Sequence, residues 1–185
     1  MVQKSEIKIF SHGSIALGFL LVFCSSAFSS SGERDSLSIH SGRLQLEVQD
    51  DAFVPSISGE RVTSPAFKFS HFGFFATQVN VSDSGMNIVG DAANEPSIAV
   101  DPTNPLKMSI GWRQFNTISS NFRQAGHAYT TDGGHTWTFP GVLEPGIFRS
   151  DPVFDSDAEG NFYYNSLTVV GSDYRCDVFK STDFE

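Results

Sequence analysis

Four charged residues stand where a polar ligand could be held. Glu95 and Asp151 each precede a proline and each open an apolar run. Arg113 follows Gly111-Trp112, and Arg149 stands two residues before Asp151. Carboxylates exchange protons, and guanidinium groups hold anions in a planar fork. The same four residues equally suit a plainer role as strand-end capping charges or as salt bridges between sheets. Two other constellations are set aside. Asp155-Ser156-Asp157-Ala158-Glu159-Gly160 looks like the start of a calcium loop, but Ser166 stands where that loop needs its twelfth-position Glu. A strand–turn–strand reading, with Gly160-Asn161 in the turn, fits better. His127 and His135 flank a turn, yet no carboxylate or Cys completes a metal set at ligand spacing. They read as surface or cross-strand residues, and neither metal nor cofactor is expected.

The elements that must position these residues are strands. From residue 91 onward, short alternating runs are broken by turn signals about every eight to twelve residues, and no window keeps a helical period. The runs repeat. Glu95-Pro96-Ser97-Ile98-Ala99-Val100-Asp101 aligns with Asp151-Pro152-Val153-Phe154-Asp155-Ser156-Asp157, 56 positions later. After each comes a turn (residues 102–105 and 158–161) and then an apolar, aromatic strand (108–112 and 162–167). Thr130-Thr131-Asp132 aligns with Ser181-Thr182-Asp183, 51 positions later. The smaller second spacing predicts a shorter loop in the second copy, at 169–173 against 116–123. Four strands in about fifty residues is the size of one propeller blade.

Thr130-Thr131-Asp132-Gly133-Gly134-His135-Thr136-Trp137 meets every position of the pattern Ser/Thr-x-Asp-x-Gly-x-Thr-Trp. Asp132 can accept hydrogen bonds from its own turn, and Gly133-Gly134 supply positive φ. Thr130 and Thr136 can tie the turn base, and Trp137 is expected to fold back as an apolar plug between sheets. Ser181 and Asp183 begin a partial second copy, with Glu185 where a Gly is usual. The motif resembles the BNR/Asp-box repeat of the sialidase-like β-propellers. Residues 94–105, Gly111-Trp112-Arg113 and Phe148-Arg149-Ser150-Asp151-Pro152 resemble exported sialidase-like, BNR-repeat glycosyl hydrolases. The resemblance covers about residues 78–185.

That resemblance implies an all-β fold: a partial sialidase-like β-propeller of about two four-stranded antiparallel blades, after a signal peptide and an irregular leader. It implies a glycoside hydrolase of the exo-sialidase kind acting on glycans, or else a non-catalytic extracellular module binding glycans or proteins, or an inactive truncated product. Sialidases of this fold use three arginines, a Tyr assisted by Glu, and an Asp. The family's first arginine motif is absent in its usual form, so no catalytic role transfers residue by residue. Strand parity places the turns at 102–105, 158–161 and the Asp-box at one end of the sheets. Glu95, Asp151 and the loops at 116–123, 138–150 and 169–173 fall at the other, where the resemblance puts an active cleft. Glu95, Arg113, Arg149 and Asp151 are therefore the local ligand-site candidates.

The chain's start reads differently. Lys4 and Lys8 precede an apolar run at 14–23, followed by small residues at 24–32. This is the layout of an export signal, with cleavage near Ser29, after Ala27-Phe28-Ser29. The run is too short to span a bilayer, so no stable membrane span is expected after cleavage, and the location is secreted, periplasmic or cell-surface. Residues 30–77 read as a leader with one short strand around Leu44, Leu46 and Val48, and residues 78–185 as the propeller part. Phe67 to Phe75 reads as an edge strand whose aromatics fill core. Asn80-Val81-Ser82 is a glycosylation sequon. Mature-chain Cys176 is either buried or paired with something outside the chain.

The 185 residues carry 12 Lys plus Arg against 21 Asp plus Glu, a net charge of −9. That balance argues against a nucleic-acid partner. A hydrophobic fraction of 39% is enough for a packed core. Because a propeller needs at least about four blades to close, further blades are expected beyond Glu185. The chain alone is expected to leave a long unpaired strand edge and to be insoluble, oligomeric or poorly folded.

Overall fold

The computed structural model describes residues 2–8, 51–55 and 61–182. These belong to one compact unit, Met1–Ile9 with Val48–Glu185; the second unit, Phe10–Glu47, lies outside the described residues. The apolar run at 14–23, Ser29, the strand expected around Leu46 and Asp183 are likewise outside them.

The described residues form strands and no helix. In chain order they are β1 (Val2–Lys8), β2 (Thr63–Ser64), β3 (Lys68–His71), β4 (Phe74–Thr77), β5 (Asn87–Ile88) and β6 (Ala92–Val100). Then follow β7 (Met108–Phe115), β8 (Gln124–Thr130), β9 (Val142–Leu143), β10 (Ser150–Ser156), β11 (Phe162–Val170) and β12 (Asp173–Ser181). Two antiparallel sheets carry four strands each, in the orders β6-β7-β8-β9 and β10-β11-β12-β1; β2-β5 and β3-β4 are two-stranded. None of the sheets closes on itself.

Alternation explains the pairing of faces. Along β11, Phe162, Tyr164, Ser166 and Thr168 are buried, while Tyr163, Asn165, Leu167 and Val169 are half-buried. With a period of two, the first set shares one face. That face packs on the first sheet, where Gly111 and Ala125 leave room for rings. A Cβ on Gly111 would lie 2.7 Å from the Phe154 ring. Phe154 stacks on Tyr164 at 4.6 Å between centroids, and Tyr164 and Phe179 join Ala125 in one buried cluster. Burying each such ring contributes about 2–3 kcal/mol. Polar contacts fix the offset: the Phe154 N–H donates to Ser97 Oγ at 2.9 Å, and Ser156 Oγ donates to the Val100 carbonyl at 2.8 Å. On the first sheet's other face, Trp112 is 1% exposed and covers Gly126, and its indole N–H donates to Gln114 Oε1 at 2.6 Å.

The register fixes the two ends. Val100 pairs with Met108 and Met108 with Thr130; Ser156 pairs with Phe162 and Phe162 with Ser181. The turns at 101–107, 131–137 and 157–161 therefore share one end. Asn94 pairs with Arg113 and Ser150 with Leu167, so the starts of β6 and β10 share the other. The shorter loop of the second copy is where the spacing predicts it: 171–172 joins β11 to β12, against 116–123 between β7 and β8.

β1, from the segment read as the start of an export signal, pairs along β12 from Val2↔Ser181 to Lys8↔Arg175, so β1 and β10 are the outer strands of that sheet. Three expectations are corrected. Phe67 to Phe75 is not one edge strand. Phe72 and Gly73, with φ of 46° and 81°, make a tight two-residue turn that folds it into the β3-β4 hairpin. Nor are its aromatics core filler: Phe72 is 88% and Phe74 77% exposed, because one hairpin face rests on the Asp-box turn and the other projects away. Trp137 does not plug the space between the large sheets. Its indole N–H points to Gly134 O and Thr77 Oγ1, at 3.1 and 3.2 Å, which pins the turn to that hairpin.

Candidate functional site

The Asp-box turn is built as its residue types require. Thr130 Oγ1 donates to Asp132 Oδ1 at 2.7 Å and accepts from the Gly134 N–H at 3.1 Å. The Thr136 N–H and hydroxyl donate to the two Asp132 oxygens at 2.9 and 2.5 Å. Gly133 and Gly134 hold φ of 74° and 90°. The Thr136 and Thr130 hydrogen bonds hold the Asp132 carboxyl well below the usual range. The side-chain oxygens of Thr130, Asp132 and Thr136 are thus engaged within the turn and the Gly134 carbonyl accepts from Thr77, so Thr130, Asp132, Gly134, Thr136 and Trp137 form a structural element. Of the partial second copy, Ser181 ends β12.

The other aspartate turns follow the same logic. Asp157 accepts from Asn161 Nδ2 at 2.7 Å, the Asn161 N–H at 2.9 Å and the Tyr163 hydroxyl at 2.9 Å. These bonds lower its pKa to about 2. The residues that imitate a calcium loop are therefore a strand–turn–strand, as expected, and no cluster of metal-binding side chains occurs among the described residues.

At the opposite end the four ligand-site candidates separate into two settings. Glu95 and Arg113 meet: Arg113 Nη2 lies 2.5 Å from Glu95 Oε1, and Arg113 Nε donates to Asn94 Oδ1 at 2.8 Å. Glu95 sits in a left-handed conformation, φ 52°, at a bulge between Asn94 and Ser97. Asp151 repeats this with φ 48° at a bulge between Ser150 and Val153. The carboxylates of both strand starts face solvent.

Arg149 does not. It is 1% exposed and pairs with Asp177 at 2.6 Å and with Glu144. Lys4 reaches Asp177 at 2.9 Å and Glu144 at 3.1 Å. Burial works against the Asp177 charge, but hydrogen bonds from Lys4 and Arg149 hold its pKa below the ordinary value. Arg149 is therefore an inter-strand ion-pair residue and not a free ligand-binding arginine; its plainer role is the one realised. His127 takes the cross-strand place. It lies opposite Gly111, half-buried, and that burial lowers its pKa to about 4 against a hydrogen bond with the Gly141 backbone.

A cleft that sequence spacing gave no reason to single out opens on the other face of the first sheet, at the Glu95 end. It encloses about 380 Å³ between Phe53, Arg61, Gln114, Asn116, Gln124 and Phe139. Gln114 Nε2 donates to Asp91 Oδ2 at 3.0 Å, Gln124 Nε2 to Asn116 Oδ1 at 3.1 Å, and Arg61 to the Asn116 carbonyl at 3.2 Å. Burial raises the Asp91 pKa, with Gln114 and Arg61 opposing. Gln114 and Gln124 are almost fully buried and their oxygens accept from the Trp112 indole and the Gly146 N–H, so their amides brace the cleft, whose lining also includes the Phe53 and Phe139 rings and Arg61. The residues come from segments more than fifty positions apart, and each alone looks like an ordinary side chain. Only the alternation that puts Gln114 and Gln124 on one face could have paired them.

Compared with known families, curated proteins and solved structures, the chain matches none at a significant level. No described helix is long and apolar enough to cross a membrane.

Proposed function

We propose that this chain is part of an exported sialidase-like BNR-repeat propeller that acts on glycans as a glycoside hydrolase. The observation that carries the reading is the repeated strand start. Glu95-Pro96 and Asp151-Pro152 present bulged, left-handed, exposed carboxylates at one end, while the Asp-box occupies the other. Strained polar residues gathered at one end of a scaffold mark a working surface. The cleft beside Phe53, Arg61 and Phe139 gives that end a place for a sugar ring.

The way the sheets stack supports the propeller. Ser97, Gly111 and Ala125 meet the face of the second sheet that carries Phe154 and Tyr164. By the repeat, Val153 and Asn165 of the second sheet stand where Ser97 and Gly111 stand in the first. The faces therefore join head to tail, an arrangement that repetition turns into a ring where the rotation per sheet closes and into an open stack where it does not. Each four-stranded sheet would be one blade.

A second reading is favoured by one observation. Arg113 and Arg149 are each held by carboxylates of this chain, which suits a non-catalytic module that binds glycans or proteins. The experiment is release of the fluorophore from a fluorogenic sialoside by the purified protein, with Glu95→Ala and Asp151→Ala variants. Release lost in the variants, with folding retained, supports the hydrolase. Sialoside binding without release supports the module. Neither release nor binding overturns the hydrolase and the glycan-binding module.

A further inference from the structure

The outer edge of β12 is a row of backbone donors and acceptors, and β1 satisfies it over seven consecutive residues. A free edge of that length recruits strands. The contact is more than backbone pairing. Lys4 stands opposite Phe179, its ammonium 5.8 Å from the ring centroid. It also bridges Asp177 and Glu144, beside a cavity of about 150 Å³ lined by Arg149, Thr168 and Arg175. Asp177 Oδ1 and Arg149 Nε are buried without a hydrogen-bond partner, so the pocket under this edge stays polar. Asp177, buried, and the more open Glu144 meet Arg149 and Lys4 here, with Arg175 also lining the cavity. Removing Lys4 would take one of its two close cationic partners, the one at 2.9 Å, from the buried Asp177 carboxylate.

We propose that the β12 edge is a strand-accepting site that selects an extended peptide segment carrying a cation opposite Phe179. Residues 2–8 are its resident occupant and vacate it when the leader is removed. The vacating step rests on the export reading; the accepting site does not. Backbone pairing supplies affinity, and the Lys4 position supplies selectivity, as in other strand-addition interfaces.

Cys176 provides the reporter, because Ile7 is its partner across β1 and β12. In the full chain with Cys24→Ser, Ile7→Cys should oxidise to an intramolecular disulfide, read by intact mass and non-reducing mobility. Glu6→Cys, whose partner is Asp177, should cross-link at least about tenfold less. In a second measurement, removing residues 2–8 in the Cys24→Ser background frees the edge. A synthetic peptide spanning residues 2–8, with Cys in place of Ile7, should then label Cys176. The same peptide with Lys4→Glu should label at least about tenfold less. Equal cross-linking of Ile7→Cys and Glu6→Cys, or equal labelling by the two peptides, overturns the site. Intact mass of the exported protein reads leader removal separately; a retained leader overturns only the vacating step.

Discussion

Glu95 and Asp151 share one backbone geometry: φ of 52° and 48°, each immediately before a proline and each at the bulge that opens its strand. A left-handed residue that is not Gly, Asn or Asp is uncommon, and Glu95 is none of these. Holding it costs about 1–3 kcal/mol. Glycine at either position removes that strain, so Glu95→Gly and Asp151→Gly should leave stability unchanged or raise it by about 1 kcal/mol. Ligand binding should fall in the same variants. Urea unfolding checks the first point; loss of about 1 kcal/mol or more in both variants would show the conformation to be unstrained.

The stacking of the two sheets makes Gly111 a sensitive position. Alanine there would bring a methyl group 2.7 Å from the Phe154 ring and 3.0 Å from Tyr164. Gly111→Ala should destabilise by about 1–3 kcal/mol through overpacking. Phe154→Leu, which yields space, should recover part of that loss in a double-mutant cycle. Additive effects in the cycle would mean that these residues are not in contact.

Acid should weaken the fold in two windows. His127 has a folded pKa of about 4, below its unfolded value, so protons bind the unfolded state more tightly. Its contribution is intact above about pH 6.5 and declines as pH falls toward 4, by about 3 kcal/mol in total. Asp157, lowered to about 2, adds stability that is present above its ordinary carboxylate value and lost as pH falls toward 2. Asp132 acts in the same direction. Urea midpoints measured across pH should show the upper window vanish in His127→Gln and the lower one shrink in Asp157→Asn.

The buried pair of Arg149 and Asp177 predicts an asymmetry. Asp177→Asn leaves the guanidinium under-compensated and should cost about 3–5 kcal/mol. Replacing both residues with Leu should cost less than Asp177→Asn alone, because no charge is then left stranded. Thermal unfolding of the two variants compares them directly, and a double variant less stable than the single one would contradict this.

Much of the fold was legible because strands and turns leave local marks. The Asp-box spelled out its own hydrogen bonds, since Thr130, Asp132 and Thr136 bond within seven residues. The repeat spacing located the short 171–172 loop, because register is carried along each strand. The hairpin at Phe72-Gly73 was hidden because a non-Gly residue supplies the first positive φ. The fate of Arg149 was hidden because Asp177 reaches it from β12 and Glu144 from the irregular connection between β9 and β10, and spacing carries no information on such pairings. The same holds for Arg61, Gln114 and Gln124 in the cleft.

The claim on which this account turns is that ligand meets the Glu95–Asp151 end and not the Asp-box end. Amide chemical-shift mapping of the protein titrated with sialyllactose tests it most directly. The account predicts saturable shifts at residues 94–97, 113–116, 124 and 150–153. Shifts confined to residues 131–137, or none at millimolar sugar, would contradict it.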